Sequence, residues 1–163
     1  MKRLFGLAAL AVVSALVLAA CGGSSYGGSK SPSTTTQPAP SSSATTVISA
    51  KSGSLGTFLV DAKGRTLYLW DADHGAMSTC AGECAQDWPP LTTKAKPKAG
   101  AGVKASLLGT SKRADGTEEV TYAGHPLYYF AGDTAAGQAT GQGSGAFGAP
   151  WWVVSPAGKA LTG

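Results

Sequence analysis

Apolar positions divide the chain into three stretches of different character. From Leu4 to Leu18 nearly every residue is apolar and none is charged, with Lys2 and Arg3 in front. From residue 22 to 46 the apolar pattern vanishes: 20 of the 25 residues are Ser, Thr, Gly or Pro, and none is Val, Ile, Leu, Phe or Trp. From Val47 onward short apolar clusters alternate with turn residues, and no long segment has helical periodicity. Phe58-Leu59-Val60 turns at Asp61-Ala62-Lys63-Gly64 into Leu67-Tyr68-Leu69-Trp70. Leu107 to Lys112 turns at Asp115-Gly116, a hairpin signal, and Val120-Thr121-Tyr122 turns at Ala123-Gly124 into Leu127-Tyr128-Tyr129-Phe130. A last strand from Trp151 to Val154 meets Ser155-Pro156-Ala157-Gly158, a turn that pairs Leu161 back. Leu67–Trp70 and Leu127–Phe130 are apolar at both parities, which predicts strands covered on both faces.

The chain repeats itself at a spacing of 60 residues. Gly64-Arg65-Thr66-Leu67-Tyr68-Leu69-Trp70-Asp71-Ala72-Asp73 lines up with Gly124-His125-Pro126-Leu127-Tyr128-Tyr129-Phe130-Ala131-Gly132-Asp133. Glycine, leucine, tyrosine, a second aromatic and an aspartate coincide, so one supersecondary unit is used twice. The expected fold is all-β, a small sandwich or barrel built from two repeated β units, the copies over about 53–92 and 107–155. Both belong to one domain over 47–163, with room for one short helix between Cys80 and Trp88.

The N-terminal apolar run has about 15 residues, short of the roughly 20 that a membrane span needs. Its charged head and apolar body make residues 1–20 a secretory signal. Leu18-Ala19-Ala20-Cys21 resembles the end of a bacterial lipoprotein signal, in which small residues precede the cysteine that receives the lipid. The mature chain is then expected to begin at Cys21. Acyl chains anchor it to the membrane, on the extracytoplasmic face of the bacterial cell or in the outer membrane of a diderm. Residues 22–46 form a disordered tether with a mean reach of roughly 25–30 Å. Losing Lys2 and Arg3 leaves 11 basic residues against 9 acidic ones. That near balance, with the exported address, argues against a nucleic-acid partner.

With Cys21 assigned to lipid, Cys80 and Cys84 remain, and an exported compartment favours their disulfide. The alternative is a soft copper(I)-type site of Cys80 and Cys84 with His74, Met77 or His125. A thiol–disulfide catalyst is a poorer match, because its C-x-x-C at a helix start in an α/β fold is missing. Asp73 and Asp133 end their strands in Gly-containing loops, where aspartate fixes turns by accepting backbone N–H groups two or three residues on. Asp71-Ala72-Asp73-His74-Gly75 holds two carboxylates of a calcium loop but not the remaining ligands. Tyr68, Trp70, Tyr128 and Phe130 read as core aromatics, with each tyrosine hydroxyl reaching a backbone partner. Gly23-Ser24-Ser25-Tyr26-Gly27 spells an esterase elbow but lies in the tether, where no strand-to-helix turn exists. Gly143-Ser144-Gly145-Ala146-Phe147-Gly148 spells a dinucleotide fingerprint without the helix that motif must open, and reads as a mobile loop. Lys94, Lys96, Lys98 and Lys104 read as a solvated connector between the copies, or as a contact for anionic lipid or wall polymer.

A tyrosine, any residue, an aromatic, two residues and an aspartate, repeated behind a lipoprotein signal, resembles a family of bacterial secreted-repeat lipoproteins. Tyr68, Trp70 and Asp73 take the first copy of its motif, and Tyr128, Phe130 and Asp133 the second. Ser78, Cys80, Cys84, Trp88, Pro89, Pro90 and Leu91 resemble its segment after the first copy, and Gly141 to Gly148 with Trp151 its closing loop. The resemblance implies a fold unit and an envelope location; it brings no activity. The expectation is a non-enzymatic, lipid-anchored binding or structural module without a cofactor, facing the cell wall or an envelope protein. A redox or copper-type accessory lipoprotein is the rival, and an envelope hydrolase comes third, for want of a nucleophile–base pair.

Overall fold

The computed structural model describes residues 45–163. The expected signal over 1–20, the lipidated Cys21 and the tether up to residue 44 lie outside the described residues. In the first copy, β1 (Val47–Gly53) and β2 (Gly56–Asp61) form an antiparallel hairpin, and β3 (Tyr68–Trp70) follows a tight turn. That turn is held by Asp61, whose Oδ1 accepts the N–H groups of Lys63 and Arg65 at 2.8 and 2.9 Å. A five-residue helix, α1 (Glu83–Asp87), lies in the connection to the second copy. The two-residue strands β4 (Thr92–Thr93) and β5 (Lys98–Ala99) complete that connection. The second copy repeats the hairpin as β6 (Leu108–Lys112) and β7 (Glu118–Tyr122), followed by β8 (His125–Pro126). Ala123 and Gly124 turn β7 into β8 with φ of 51° and 84°, the paired left-handed conformation of a two-residue hairpin. The chain closes through β9 (Trp151–Val153).

Three small sheets result, ordered β2-β1-β5, β3-β9 and β4-β7-β6, with β8 also on β7. They do not close into a barrel, so of the two expected architectures the small all-β sandwich stands. The copies join where Tyr68 and Tyr128 exchange two backbone hydrogen bonds, both of 2.9 Å. On its other side Tyr68 pairs with Val153 and Tyr128 with Pro90. The flanking bonds match too: Asp71 N–H donates to the Pro150 carbonyl, and Ala131 N–H to that of Asp87.

Two apolar clusters fill the interior. One holds Ile48, Leu59, Leu67, Leu69, Val120 and Leu127. The other holds Phe58, Val60, Tyr68, Trp70, Trp88 and Trp151. Alternate residues of β2 and β3 feed opposite clusters, which is why Leu67–Trp70 is apolar at both parities. The second cluster is a stack that alternates between the copies. Trp70 lies on Trp151 at 4.9 Å, Trp151 on Trp88 at 4.0 Å, and Trp88 against Phe130 at 4.5 Å. Tyr68 meets Trp88 edge-on, and Tyr128 meets Trp151 in the same way.

Some expectations change. The strand expected over Leu127–Phe130 contracts to single-residue bridges at Tyr128, with the regular pairing moved to β8. One neighbour is the Pro89-Pro90 pair, which has no N–H to give to a ladder. The lysine connector is not wholly free, because β5 adds to β1 in parallel and Lys98 N–H donates to the Thr46 carbonyl at 2.8 Å.

Trp88 is fully buried at the centre of the stack and touches both copies. Trp88→Ala is expected to cost about 3–5 kcal/mol in urea unfolding and to remove the Trp88–Trp151 part of the near-ultraviolet signal, leaving that of the Trp70–Trp151 pair.

Candidate functional site

The motif tyrosines and aspartates meet across the junction of the copies. Each aspartate begins in the same local turn: Asp73 N–H donates to the Trp70 carbonyl and Asp133 N–H to that of Phe130, both at 3.1 Å. One carboxylate oxygen then serves its own loop. Asp73 Oδ1 accepts the N–H and hydroxyl of Thr79 at 2.7 and 2.8 Å. Asp133 Oδ1 accepts the same two groups of Thr140 at 2.8 and 2.6 Å. The other oxygen serves the opposite copy: Tyr128 donates to Asp73 Oδ2 at 2.5 Å, and Tyr68 to Asp133 Oδ2 at 2.6 Å.

This corrects two expectations. The aspartates reach six and seven residues ahead, not two or three, because the loops after the strands are wider than a tight turn. The tyrosine hydroxyls bind carboxylates of the other copy and not a backbone group. Burial, then the neighbouring carboxylates, pushes both phenols far above the usual tyrosine range. They stay protonated and donate.

The two centres differ in what surrounds them. At Tyr128 the Ser78 Oγ stands 2.6 Å from the hydroxyl. Arg113 donates to that Ser78 Oγ at 2.6 Å, to Glu119 Oε2 at 2.7 Å and to the Cys80 carbonyl at 2.6 Å. Glu119 is fully buried on β7, and its Oε1 has no hydrogen-bond partner. Burial outweighs the pull of Arg113 and raises its carboxyl to about 7. Sixty residues earlier stand Leu59 and Gly53, so this buried ion pair belongs to the second copy alone. It was missed in the sequence because Glu118-Glu119 beside a turn looks like solvated hairpin charge. The available signal was strand alternation, which turns one of two adjacent glutamates inward.

Cys80 and Cys84 form a disulfide with both residues buried, as expected, so neither offers a thiolate to a metal. His74 and Met77 are exposed on the same loop. Among the described residues no group of three or more His, Cys, Asp or Glu is arranged to hold a metal ion. Asp71 accepts the Trp152 indole N–H at 2.9 Å instead of joining Asp73 in a cation loop. The Gly143–Gly148 segment contains a short 3-10 turn over Ala146–Gly148 and is pinned by Trp151, whose indole donates to the Ala146 carbonyl at 2.9 Å. A second polar cluster faces outward. Arg65 donates through Nε and Nη2 to Asp61 Oδ2, both at 2.8 Å, and its guanidinium lies 3.7 Å from the Tyr129 ring centre. Burial raises the Asp61 carboxyl, but the bonds from Arg65 and Lys63 and the charge of Arg65 outweigh it and hold it below the usual range.

Two measurements check this geometry. Leaving a buried partner unpaired costs about 1–3 kcal/mol, so Tyr128→Phe and Asp73→Ala should each lose that much in thermal or urea melts. Asp73→Asn keeps one acceptor oxygen and should fall between wild type and Asp73→Ala. In a double-mutant cycle, Tyr128→Phe with Asp73→Ala should be clearly less than additive. The Glu119 carboxyl, at about 7 when folded against 4.5 ordinarily, contributes stability that is full below pH 4.5 and lost as pH rises through 7. Wild type should therefore weaken between about pH 5 and 8 by on the order of 2 kcal/mol, while Glu119→Gln should flatten that slope.

Compared with known proteins, the chain matches no curated protein and no solved structure. One family matches twice, over residues 49–92 and 109–155, on the two copies built around the exchanged Tyr–Asp pairs. Those segments make up more than half of the chain, which therefore belongs to the family described as a secreted repeat of unknown function.

Proposed function

We propose that this chain is a lipid-anchored module on the extracytoplasmic face of the bacterial cell envelope, serving a binding or structural role without catalysis. The observation that carries the reading is the reciprocal use of the motif: both tyrosines and both aspartates are consumed in holding one copy to the other. The motif's hydroxyls and carboxylates are thereby engaged with one another, and general acid–base chemistry needs a group free to reach a substrate. Membership of a secreted family supports an extracytoplasmic setting. The buried Cys80–Cys84 bond is stable in such a setting. The anchor rests on Leu18-Ala19-Ala20-Cys21 after the apolar run, and no helix among the described residues is long and apolar enough to cross a membrane. Acyl chains on Cys21 supply the buried methylenes that a stable anchor needs.

Fractionation of expressing cells tests the anchor. Wild type should partition with membranes at a mass that begins at acylated Cys21, and Cys21→Ser should appear in the soluble fraction or remain unprocessed. Membrane retention of Cys21→Ser at the mature mass would overturn it.

A further inference from the structure

We propose that the outer edge of β6 pairs with the same edge of a second copy of this chain, in an antiparallel strand pair centred on Thr110. The pairing extends the structural role proposed above and does not depend on the anchor. Within β7, Val120 turns its backbone away from β6: its N–H donates to the Leu91 carbonyl, and its carbonyl accepts Leu127 N–H. Backbone groups alternate sides along a strand, so Glu119 and Thr121 make the ladder bonds to Ser111 and Gly109 opposite them. Ala123 N–H to the Leu107 carbonyl, and Arg113 N–H to the Thr117 carbonyl, continue that alternation. Leu108, Thr110 and Lys112 therefore point their backbone groups out of the sheet.

Leu108 N–H is taken by the Ala105 carbonyl at the end of a 3-10 turn. Among the described residues, the Leu108 carbonyl and both backbone groups of Thr110 and Lys112 have no hydrogen-bond partner. The Thr110 and Lys112 side chains are exposed. The other long strands are engaged on both sides: β1 by β2 and β5, β7 by β6 and β4, and β2 by β1 and Val154. A row of unpaired N–H and C=O groups at strand spacing fits one kind of partner, another extended backbone.

The free groups of β6 complement themselves. With Thr110 opposite Thr110 of the second copy, the two threonines exchange a pair of bonds, and each Lys112 N–H reaches the Leu108 carbonyl of the other chain. Every free N–H is then used, and the blocked Leu108 N–H leaves only the Lys112 carbonyl unpaired. Setting Thr110 opposite Lys112 instead brings the two lysines diagonally across from each other at close range. Centring on Thr110 keeps them well apart, each beside the half-buried Leu108 of the other chain, where its methylenes can pack. A shift the other way loses bonds to the occupied Leu108 N–H. Residues 22–46 of the same chain compete poorly for the edge, because Pro32, Pro38 and Pro40 interrupt them and Val, Ile, Leu, Phe and Trp are missing. A two-fold pair closes on itself and leaves no edge for a third molecule.

Sedimentation velocity of the full-length chain in detergent, over a range of concentrations, tests the pairing. So few bonds make a weak interface, and wild type should form a concentration-dependent dimer. Thr110→Lys and Thr110→Glu each set like charges opposite one another at the two-fold and should dimerise about tenfold more weakly. An equimolar mixture of the two should dimerise at least as well as wild type. Thr110→Pro removes an N–H that the fold does not use, and should abolish the dimer while leaving the near-ultraviolet spectrum unchanged. Thr57→Lys, the same change at an exposed position of β2, should behave as wild type, which separates strand pairing from the sharing of micelles. The proposal is overturned if wild type stays monomeric at every concentration, as it would with another strand already on the edge. It is equally overturned if Thr110→Lys and Thr110→Glu dimerise as wild type does, or if their mixture does no better than either alone. None of these outcomes alters membrane partitioning through Cys21, and soluble wild type in the fractionation would strike the anchor and leave the pairing standing.

Discussion

Each motif carboxylate has one oxygen that its own copy can satisfy and one that it cannot. Thr79 and Thr140 saturate the first oxygen of Asp73 and Asp133. The second receives a proton only from the tyrosine of the other copy. An isolated copy would lose both bonds of the exchange and return its tyrosine hydroxyl and that second oxygen to water. It would also expose half of the alternating stack of Trp70, Trp151, Trp88 and Phe130. Docking of the copies, through the Tyr68–Tyr128 backbone pair, is thus the step on which burial of everything else depends.

The symmetry stops where the loops close. The first copy returns to the stack through the disulfide loop, and Arg113 of the second copy ties that loop, through Ser78 Oγ and the Cys80 carbonyl, to Glu119. The second copy returns through a glycine-rich loop. At Gly141 a Cβ would stand 2.6 Å from the Trp88 ring, so only glycine lets the backbone pass the stack. Gln142 does the fastening there: its Oε1 accepts Val153 N–H at 2.9 Å, while its amide donates to the Leu161 carbonyl. One scaffold is therefore closed by a covalent bond and a buried charge pair on one side, and by close backbone packing on the other.

What could be read from the sequence follows from how local each signal is. The strand at Leu67–Trp70, the hairpin at Asp115-Gly116 and the return turn at Ser155–Gly158 depend on neighbours within a few residues, and all are present. The strand β1 was not foreseen, because Ser49, Lys51 and Ser52 blur its apolar alternation and its place comes from pairing with β2. Partners were the harder problem. Tyr68 and Asp73 stand five residues apart in the motif, which suggests mutual contact, yet each bonds the other copy because the chain turns away after Trp70. The repeat spacing was visible; its exchange of partners needed three dimensions.

That exchange also bears on where recognition can take place. With the motif's hydroxyls and carboxylates satisfied across the junction, the residues free to meet a partner include those that the docking brings together at the rim. The Asp61–Arg65 turn is rigid because Asp61 caps its backbone and holds the guanidinium. Tyr129 follows directly after the buried Tyr128 and inherits its fixed position, so the Arg65–Tyr129 contact joins one copy to the next at the surface. A rigid rim built by two copies presents its charges without the ordering cost that a flexible loop would bear on binding. Duplication here makes a surface that neither copy has by itself, and the interior aspartates and tyrosines are what keep that surface in register.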